Sequence, residues 1–450
     1  MRSNTACPPA QNAPYCSGVM KPAALSALGR RSQAPPISWL MSLTLSRPKL
    51  ISLAAGFTDS ESLPVDDVRA LLAGVLRSRA TGRAALQYGS TQGDPVLRRL
   101  TARHLSRLDG RSGRAYSPGR VLVTNGSQQL LYIVTEALCD PGQIVLVEDP
   151  TYFVYLGILQ SRGIRARAVR MEKDGLDLAH LEQVLQSLKR NGELPRVKLL
   201  YLVSSFQNPT GITTSFRKKA AIVALLRKYE RAAGHPVYLL EDAAYRELRF
   251  RGRDVKSALA AGAGGDRVIY AGTYSKPFAT GARVGYGFLP EPVFTAALRI
   301  KGNHDFGTSN LLQQLIAHAL SSGRYRKHPR ELRHRYARKA GVMMKAIEEH
   351  FPPEIQRRQP EGGLYFWARL PEPLSSGTNS ELFRRSLANN VLYVPGQLCY
   401  ADDSTRRKPD NEMRISFGSA TETDIREGVA RLGAVLRKAL RRPAKSGSEP

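Results

Sequence analysis

Acidic residues are missing from the start of the chain: between Met1 and Thr58 there is not one Asp or Glu. Cysteine is scarce too, at four in 450 residues, and Cys7, Cys16, Cys139 and Cys399 show no CxxC spacing. That argues against a disulfide scaffold and a thiol-ligated metal, and fits free thiols in a reducing compartment such as the cytoplasm. No apolar run approaches the roughly eighteen residues a membrane-spanning helix needs, because QIVLVED and VKLLYLV meet charges within a few positions. Neither a membrane partner nor a metal is expected. The acid-poor N-terminus has the composition of some organelle transit peptides. Pro8, Pro9, Pro14, Pro22, Pro35 and Pro36 nevertheless work against an amphipathic helix there. Residues 1–47 are expected to form a disordered or arm-like extension, and 441–450 a tail.

Positive charge is what the chain has in excess: 67 Lys and Arg against 38 Asp and Glu, a formal net charge of +29. Such a balance suits nucleic acid, anionic lipid or acidic substrates. Here the arginines are scattered through every segment, and no basic stretch interleaved with aromatics stands out. A solvated basic surface without a nucleic-acid partner is the expectation.

The organisation is that of an α/β protein. PVDDVRALLAGVLRS places Val68, Leu71, Leu72, Val75 and Leu76 on one face of a helix opened by Pro64 and two acids. Beyond residue 120, short apolar runs alternate with polar loops and helical periods: VLVT (121–124), QIVLVE (143–148), VKLLYLV (197–203), PVYLLE (236–241) and RVIYAG (267–272). Near-continuous apolar strands of this kind predict a largely parallel sheet covered on both faces. From about residue 305 the texture changes to Arg- and His-rich helices, then EGGLYFWARL, VLYVPG and MRISFG, which predicts a smaller α+β domain.

Each apolar run ends in a polar cluster: TNGSQQ, EDPTYF, SSFQNPTG, EDAAY and TYSK. Ligands of open α/β sheets bind outside the carboxyl ends of strands, so the five clusters are expected to converge on one site. In TYSKPFATGARVGY, Lys276 follows an apolar strand and sits among hydroxyls, where a lysine that sheds its proton becomes a nucleophile toward aldehydes. Thr273, Ser275 and Arg283 suit a phosphate. Gly126, Ser127 and Gln128 open a helix whose N-terminal amides suit another anion contact. Asp242 has the position to hold a protonated ring nitrogen, with Tyr245 three residues on, and Asn208 can donate to a phenolic oxygen. Singly, each has a plainer reading, as surface lysine, helix cap or turn residue.

The ordered series QYGSTQG, TNGSQQ, EDPTY, QNPTG, EDAAY, TYSKPFATGARVGY, EGGLYFW and NEMRISF, from about Ser52 to about Leu440, resembles the fold-type I pyridoxal-phosphate aminotransferases of class I/II. Within these it is most similar to the 2-aminoadipate and kynurenine aminotransferase group. The resemblance implies a large cofactor-binding domain over 48–305, with a mostly parallel sheet of seven-stranded type between helices. It also implies a small domain over 306–440, to which the N-terminal segment contributes. By the same resemblance Lys276 is the Schiff-base lysine and general base. Ser127, Gln128, Thr273, Ser275 and Arg283 bind the phosphate, and Tyr152 stacks on the ring. Asp242 pairs with the ring nitrogen, and Asn208 and Tyr245 bond the phenolic oxygen. Tyr88 reaches the phosphate of the second subunit of a homodimer, Arg414 clamps the substrate carboxylate, and Gly56 lets the backbone approach the substrate.

The implied reaction moves an amino group between an amino acid and a 2-oxo acid by ping-pong kinetics. The alternative is another pyridoxal-phosphate chemistry on the same scaffold, such as elimination, decarboxylation, cyclisation or oxidation. A DNA-binding regulator would need a winged-helix module, and residues 1–50 hold only the proline-rich stretch and ISWLMSLTL. Phe57, Tyr274, Tyr365 and Phe366 are aromatic pocket candidates, although aromatics at strand positions are more often core residues, and ADDSTRRKPDNE is expected to be a mobile loop.

Overall fold

The computed structural model describes residues 24–262 and 265–441. Its first strand, β1 (Ile51–Ser52), precedes the strands of the large sheet: β2 (Val121–Asn125), β3 (Ile144–Asp149), β4 (Arg165–Glu172), β5 (Gly175–Leu176), β6 (Val197–Val203), β7 (Tyr238–Asp242), β8 (Val268–Thr273) and β9 (Val284–Phe288). The remainder are β10 (Gln356–Arg357), β11 (Tyr365–Arg369), β12 (Val391–Leu392), β13 (Val394–Pro395) and β14 (Glu412–Ser416). All five apolar runs read from the sequence are strands of the large sheet.

That sheet has the order β2-β9-β8-β7-β6-β3-β4-β5. β4, β3, β6, β7 and β8 pair in parallel, while β9 runs antiparallel to both β8 and β2. To the expected seven-stranded type it adds a two-residue eighth strand: Met171 faces Leu176 across a tight turn, where Gly175 has φ +118°. A Cβ at Gly175 would lie 2.6 Å from Thr214 Cγ2, so glycine alone fits.

Leu199, Leu200, Tyr201 and Leu202 of β6 are fully buried, as are Leu239 and Leu240 of β7 and Val268 and Ile269 of β8. Each such aliphatic side chain contributes about 2 kcal/mol through burial. The strands are therefore a rigid base, and only their carboxyl ends, where the polar clusters begin, open onto space.

The C-terminal part builds a second sheet, β10-β11-β14-β13, antiparallel throughout, while β1 pairs in parallel with β12. The change of texture at residue 305 is not a change of packing unit. Leu315, Ile316, Ala317 and Ala319 of the helix Asn310–Ser321, with Tyr325 beyond it, share one core cluster with Val121, Leu200 and Tyr270. The apolar face of that helix accounts for this, since it packs on the helices Val65–Val75 and Pro95–Asp109.

The extension expected to be disordered or arm-like contains two helices among its described residues, Ala27–Arg31 and Pro36–Leu45. Pro35 and Pro36 do not break the second helix because they start it, and Leu40 is buried with Trp39 against Phe383. Residues 1–23 of that extension, with Cys7 and Cys16, lie outside the described residues, as do residues 442–450 of the tail. The stretch ADDSTRRKPDNE is pinned rather than mobile, because Asp403 and Arg406 form ion pairs with Arg167 and Asp149. Cys139 and Cys399 are buried free thiols, and among the described residues no helix is long and apolar enough to cross a membrane.

Candidate active site

The carboxyl ends of β6, β7 and β8, the Tyr152 segment after β3 and the helix after β2 surround a cavity of about 200 Å³. Ser127, Gln128, Tyr152, Asn208, Asp242, Tyr245, Thr273, Ser275, Lys276 and Arg283 all line it. The convergence expected from the sequence is thus met by ten of the named residues. Leu131, Val203 and Ala244 complete the wall.

One end of the cavity is built for an anion. The helix Gly126–Leu138 starts without a side-chain cap, so the amides of its first turn have no partner within the helix. Gly126 has φ +72°, and a Cβ there would stand 2.5 Å from Arg283 Nη2. Glycine is therefore what lets the guanidinium cross the helix start. Arg283 itself adopts φ +50° after the turn Thr280–Ala282, a conformation that costs a non-glycine residue energy and is held by the strand that follows. Thr273 Oγ1 accepts from Ser275 N–H at 3.0 Å, while Ser275 Oγ is buried with no partner among the described residues. A buried hydroxyl without a partner costs about 1–3 kcal/mol, which a bound phosphate oxygen would recover.

Lys276 Nζ donates to Gly56 O at 2.7 Å. The residue is half-buried because it faces the cavity, yet protein atoms crowd its ammonium on the other sides. Burial, together with the positive charges of Arg414 and Arg283, lowers its pKa to about 8. Across the cavity, Asp242 accepts from Tyr201 O–H at 2.9 Å and from Ala244 N–H at 3.1 Å. Burial raises its carboxyl to about 6 against the pull of those two bonds. Tyr201 is in turn stacked on Tyr155 with ring centroids 3.9 Å apart, and Tyr155 O–H meets Thr135 Oγ1 at 3.0 Å.

Arg414, only 1% exposed, reaches the site from β14. Its Nη1 donates to Asn208 Oδ1 and its Nη2 to Ala54 O, each at 2.7 Å. Because Asn208 Oδ1 is taken, its Nδ2 is left to donate into the cavity, as a phenolic oxygen requires. The Tyr365 ring lies 4.3 Å from the guanidinium carbon, and Tyr365 O–H meets Tyr245 O–H at 2.9 Å. A Cβ on Gly56 would stand 2.6 Å from Tyr365 Oη, so that position is closed to larger residues.

Of the aromatic candidates, Tyr365 belongs to the site and Phe57 is exposed. Tyr274 and Phe366 are core: Tyr274 is fully buried with its hydroxyl 2.7 Å from Thr101 Oγ1, and Phe366 is buried in the second sheet. Tyr88 does not reach this cavity. It is 83% exposed and meets Phe306 edge-on at 5.4 Å. Tyr201, Gln207 and Glu148 were not read as site residues. Gln207 Nε2 donates to Glu148 Oε2 at 3.1 Å and to Pro150 O at 2.7 Å, while its Oε1 accepts from Thr210 N–H, which fixes the turn carrying Asn208. Their signal was faint, since Tyr201 and Glu148 lie inside apolar runs and Gln207 reads as a loop residue.

Comparison with known sequences decides the family: the model described as aminotransferase class I and II matches residues 48–432. The chain belongs to this family. The 2-aminoadipate transaminase of Thermus thermophilus is 34% identical over 94% of this chain and 99% of its own. Aromatic-amino-acid aminotransferase 1 of Thermococcus litoralis is 32% identical over 87% and 89%. Among solved structures, Pyrococcus horikoshii kynurenine aminotransferase superposes with a TM-score of 0.84 at 29% identity, covering 93% of this chain and 98% of that one. The α-aminoadipate aminotransferase of Thermus thermophilus, solved with N-(5'-phosphopyridoxyl)-L-leucine, gives 0.79 at 33%, with the same coverage. The fold is that of the fold-type I enzymes, and this aminotransferase is a pyridoxal-phosphate-dependent transaminase. The uncapped helix, the unpartnered Ser275 hydroxyl and the carboxylate facing a lysine fit that cofactor.

Proposed function

We propose that this aminotransferase transfers an amino group between an α-amino acid and a 2-oxo acid in two ping-pong half-reactions, with Lys276 as the residue that carries the cofactor. The observation behind this reading is one lysine of lowered pKa between a lone carboxylate and a buried guanidinium. Ser127, Gln128, Thr273, Ser275 and Arg283 would hold the phosphate, Tyr152 the ring face, Asp242 the ring nitrogen, and Asn208 and Tyr245 the phenolic oxygen. Bound pyridoxal phosphate supplies an aldehyde that exchanges amines and a ring that takes up charge when Cα loses its proton.

The side chains do the rest. Arg414 grips the substrate carboxylate with its planar fork, and the Tyr365 ring beneath it keeps that fork from tilting. Once the substrate is held there, Cα stands on the Lys276 side of the cavity, where Gly56 O orients the amine. An amine whose pKa is near 8 takes and returns a proton at working pH far more readily than one near 10.5. Lys276 thus acts as base on one side of the transfer and as acid on the other.

A homodimer is the proposed active unit, in which Tyr88, exposed beside Phe306, would serve the second subunit. The relatives differ in the side chains their names imply, so the substrate class is the one Arg414 defines: amino acids with a free α-carboxylate.

Addition of an amino-acid panel to loaded protein without acceptor is expected to release one equivalent of 2-oxo acid per site and no ammonia. Release of ammonia, carbon dioxide or peroxide instead would favour another cofactor chemistry. In cofactor-free protein, the rate of Lys276 modification by an amine-reactive reagent is expected to rise with pH to a midpoint near 8, against 10.5 for an ordinary lysine. A midpoint near 10.5, read by peptide mapping, would remove the basis for Lys276 as a proton carrier.

A further inference from the structure

Tyr152 caps the helix Phe153–Arg162, and only Pro150 and Thr151 separate it from Asp149, the last residue of β3. This turn is held on one side by Gln207, which donates to Pro150 O, and on the other by the C-terminal loop between Cys399 and Asn411. Arg406 Nε donates to Asp149 Oδ2 and Arg406 Nη2 to Asp149 Oδ1, each at 2.6 Å, a two-pronged ion pair. Arg406 Nη2 also donates to Ala401 O at 3.1 Å, and Thr151 N–H donates to Cys399 O at 2.7 Å.

The loop is anchored a second time. Asp403 accepts from Arg167 Nη1 and from Ala168 N–H, both at 2.9 Å, and from Thr405 Oγ1 at 2.7 Å. It then returns through Asn411, which exchanges two hydrogen bonds with Leu370, and enters β14 at Glu412, two residues before Arg414. One strap therefore runs between the residue placed over the cofactor ring and the residue placed on the substrate carboxylate.

The Arg406–Asp149 pair is not a solvated surface contact, since their side chains are 24% and 6% exposed. Pairs at this depth are felt strongly when one partner is removed, because the other is left buried and uncompensated. Asp149 shows the direction: burial pushes its carboxyl up to about 6, and the Arg406 fork is the main force holding it down.

We propose that Arg406 is a positioning residue for Tyr152, fixing the Tyr152 ring through Asp149 and tying its place to that of Arg414. The proposal rests on the site reading above, in which Tyr152 faces the cofactor. Neither residue touches the reacting atoms; the effect is one of placement.

The test compares Arg406→Gln, Arg406→Lys and Asp149→Asn, singly and as the double variant Asp149→Asn/Arg406→Gln. Cofactor-free protein is read by amide hydrogen exchange over Thr151 to Leu156. Pyridoxal phosphate binding is read by equilibrium titration, and the half-reaction by its rate and its KM for the amino acid. For Arg406→Gln we expect exchange over Thr151 to Leu156 to rise, and pyridoxal phosphate affinity to fall, each by about tenfold, with KM rising and β8 exchange unchanged. Arg406→Lys should recover only part of this, since an ammonium cannot fork. The double variant should be no worse than the poorer single one.

Wild-type exchange and affinity in Arg406→Gln would overturn the proposal, and so would exchange that rises equally across the whole chain. A wild-type protein that bound the cofactor but did not transaminate would refute the function and leave the exchange result to judge the strap.

Discussion

Replacing Lys276 with alanine is expected to lower the turnover of any amino acid by about four orders of magnitude or more, leaving the fold and the cofactor's phosphate contacts in place. The size of the loss follows from what else lines the cavity. Among the described residues Lys276 is the only amine lining it, and Arg283 offers a guanidinium, which accepts no proton. Burial pushes the phenols of Tyr152 and Tyr245 well above their ordinary pKa, so neither can serve as base near neutrality. Asn208, Thr273 and Ser275 offer hydrogen bonds but no basic centre. The substitution removes one hydrogen bond, to Gly56 O, and no core contact, so thermal unfolding should move little. The measurement is the single-turnover release of 2-oxo acid, with an added small primary amine expected to restore part of the rate in the alanine variant. Wild-type turnover in that variant would sink the assignment.

The sequence carried the sheet and most of the site because both rest on local signals. Buried parallel strands must be continuously apolar, so VLVT, QIVLVE, VKLLYLV, PVYLLE and RVIYAG stood out, and the polar clusters after them had to fall at the sheet's carboxyl edge. The motif resemblance then supplied Arg414, which no periodicity places beside Asn208, 206 positions away in the chain. What was not legible depends on pairings between distant segments. Arg406 reads as a polar loop residue until Asp149 is seen to accept its fork. Tyr201 reads as one more apolar residue of β6 until its hydroxyl is found on Asp242. Tyr274 and Tyr365 look alike as strand-edge aromatics, and only tertiary packing sends one to Thr101 and the core and the other beneath Arg414. The Pro35–Pro36 pair reads as a helix breaker because the sequence does not show that it stands at a helix start.

Asp242→Asn is expected to cost about two to three orders of magnitude in turnover with little change in KM. Among the described residues Asp242 is the only acid lining the cavity, opposite Lys276 and Arg283. An anion at that point is fixed before any ligand arrives, by Tyr201 O–H and Ala244 N–H, so on the proposed reading it would stabilise positive charge on a bound ring without reorganising. Asparagine is nearly isosteric. Its Oδ1 keeps the Ala244 N–H, its Nδ2 turns toward Tyr201, and the fold is retained while the charge is lost. The residues proposed to hold the phosphate and the substrate carboxylate would be untouched, which is why the loss should fall on kcat. The pH dependence gives a second readout whose sign is fixed. Below its pKa the carboxyl is neutral and resembles the asparagine, so wild-type turnover should fall as pH drops through about 6. A positive ring nitrogen held beside the carboxylate would favour its ionised form, which would put this limb at or below that value in the loaded enzyme. Asp242→Asn should lack the limb and run flat at the low rate. An asparagine variant that kept full turnover, or kept the acid limb, would show that some other group supplies the charge.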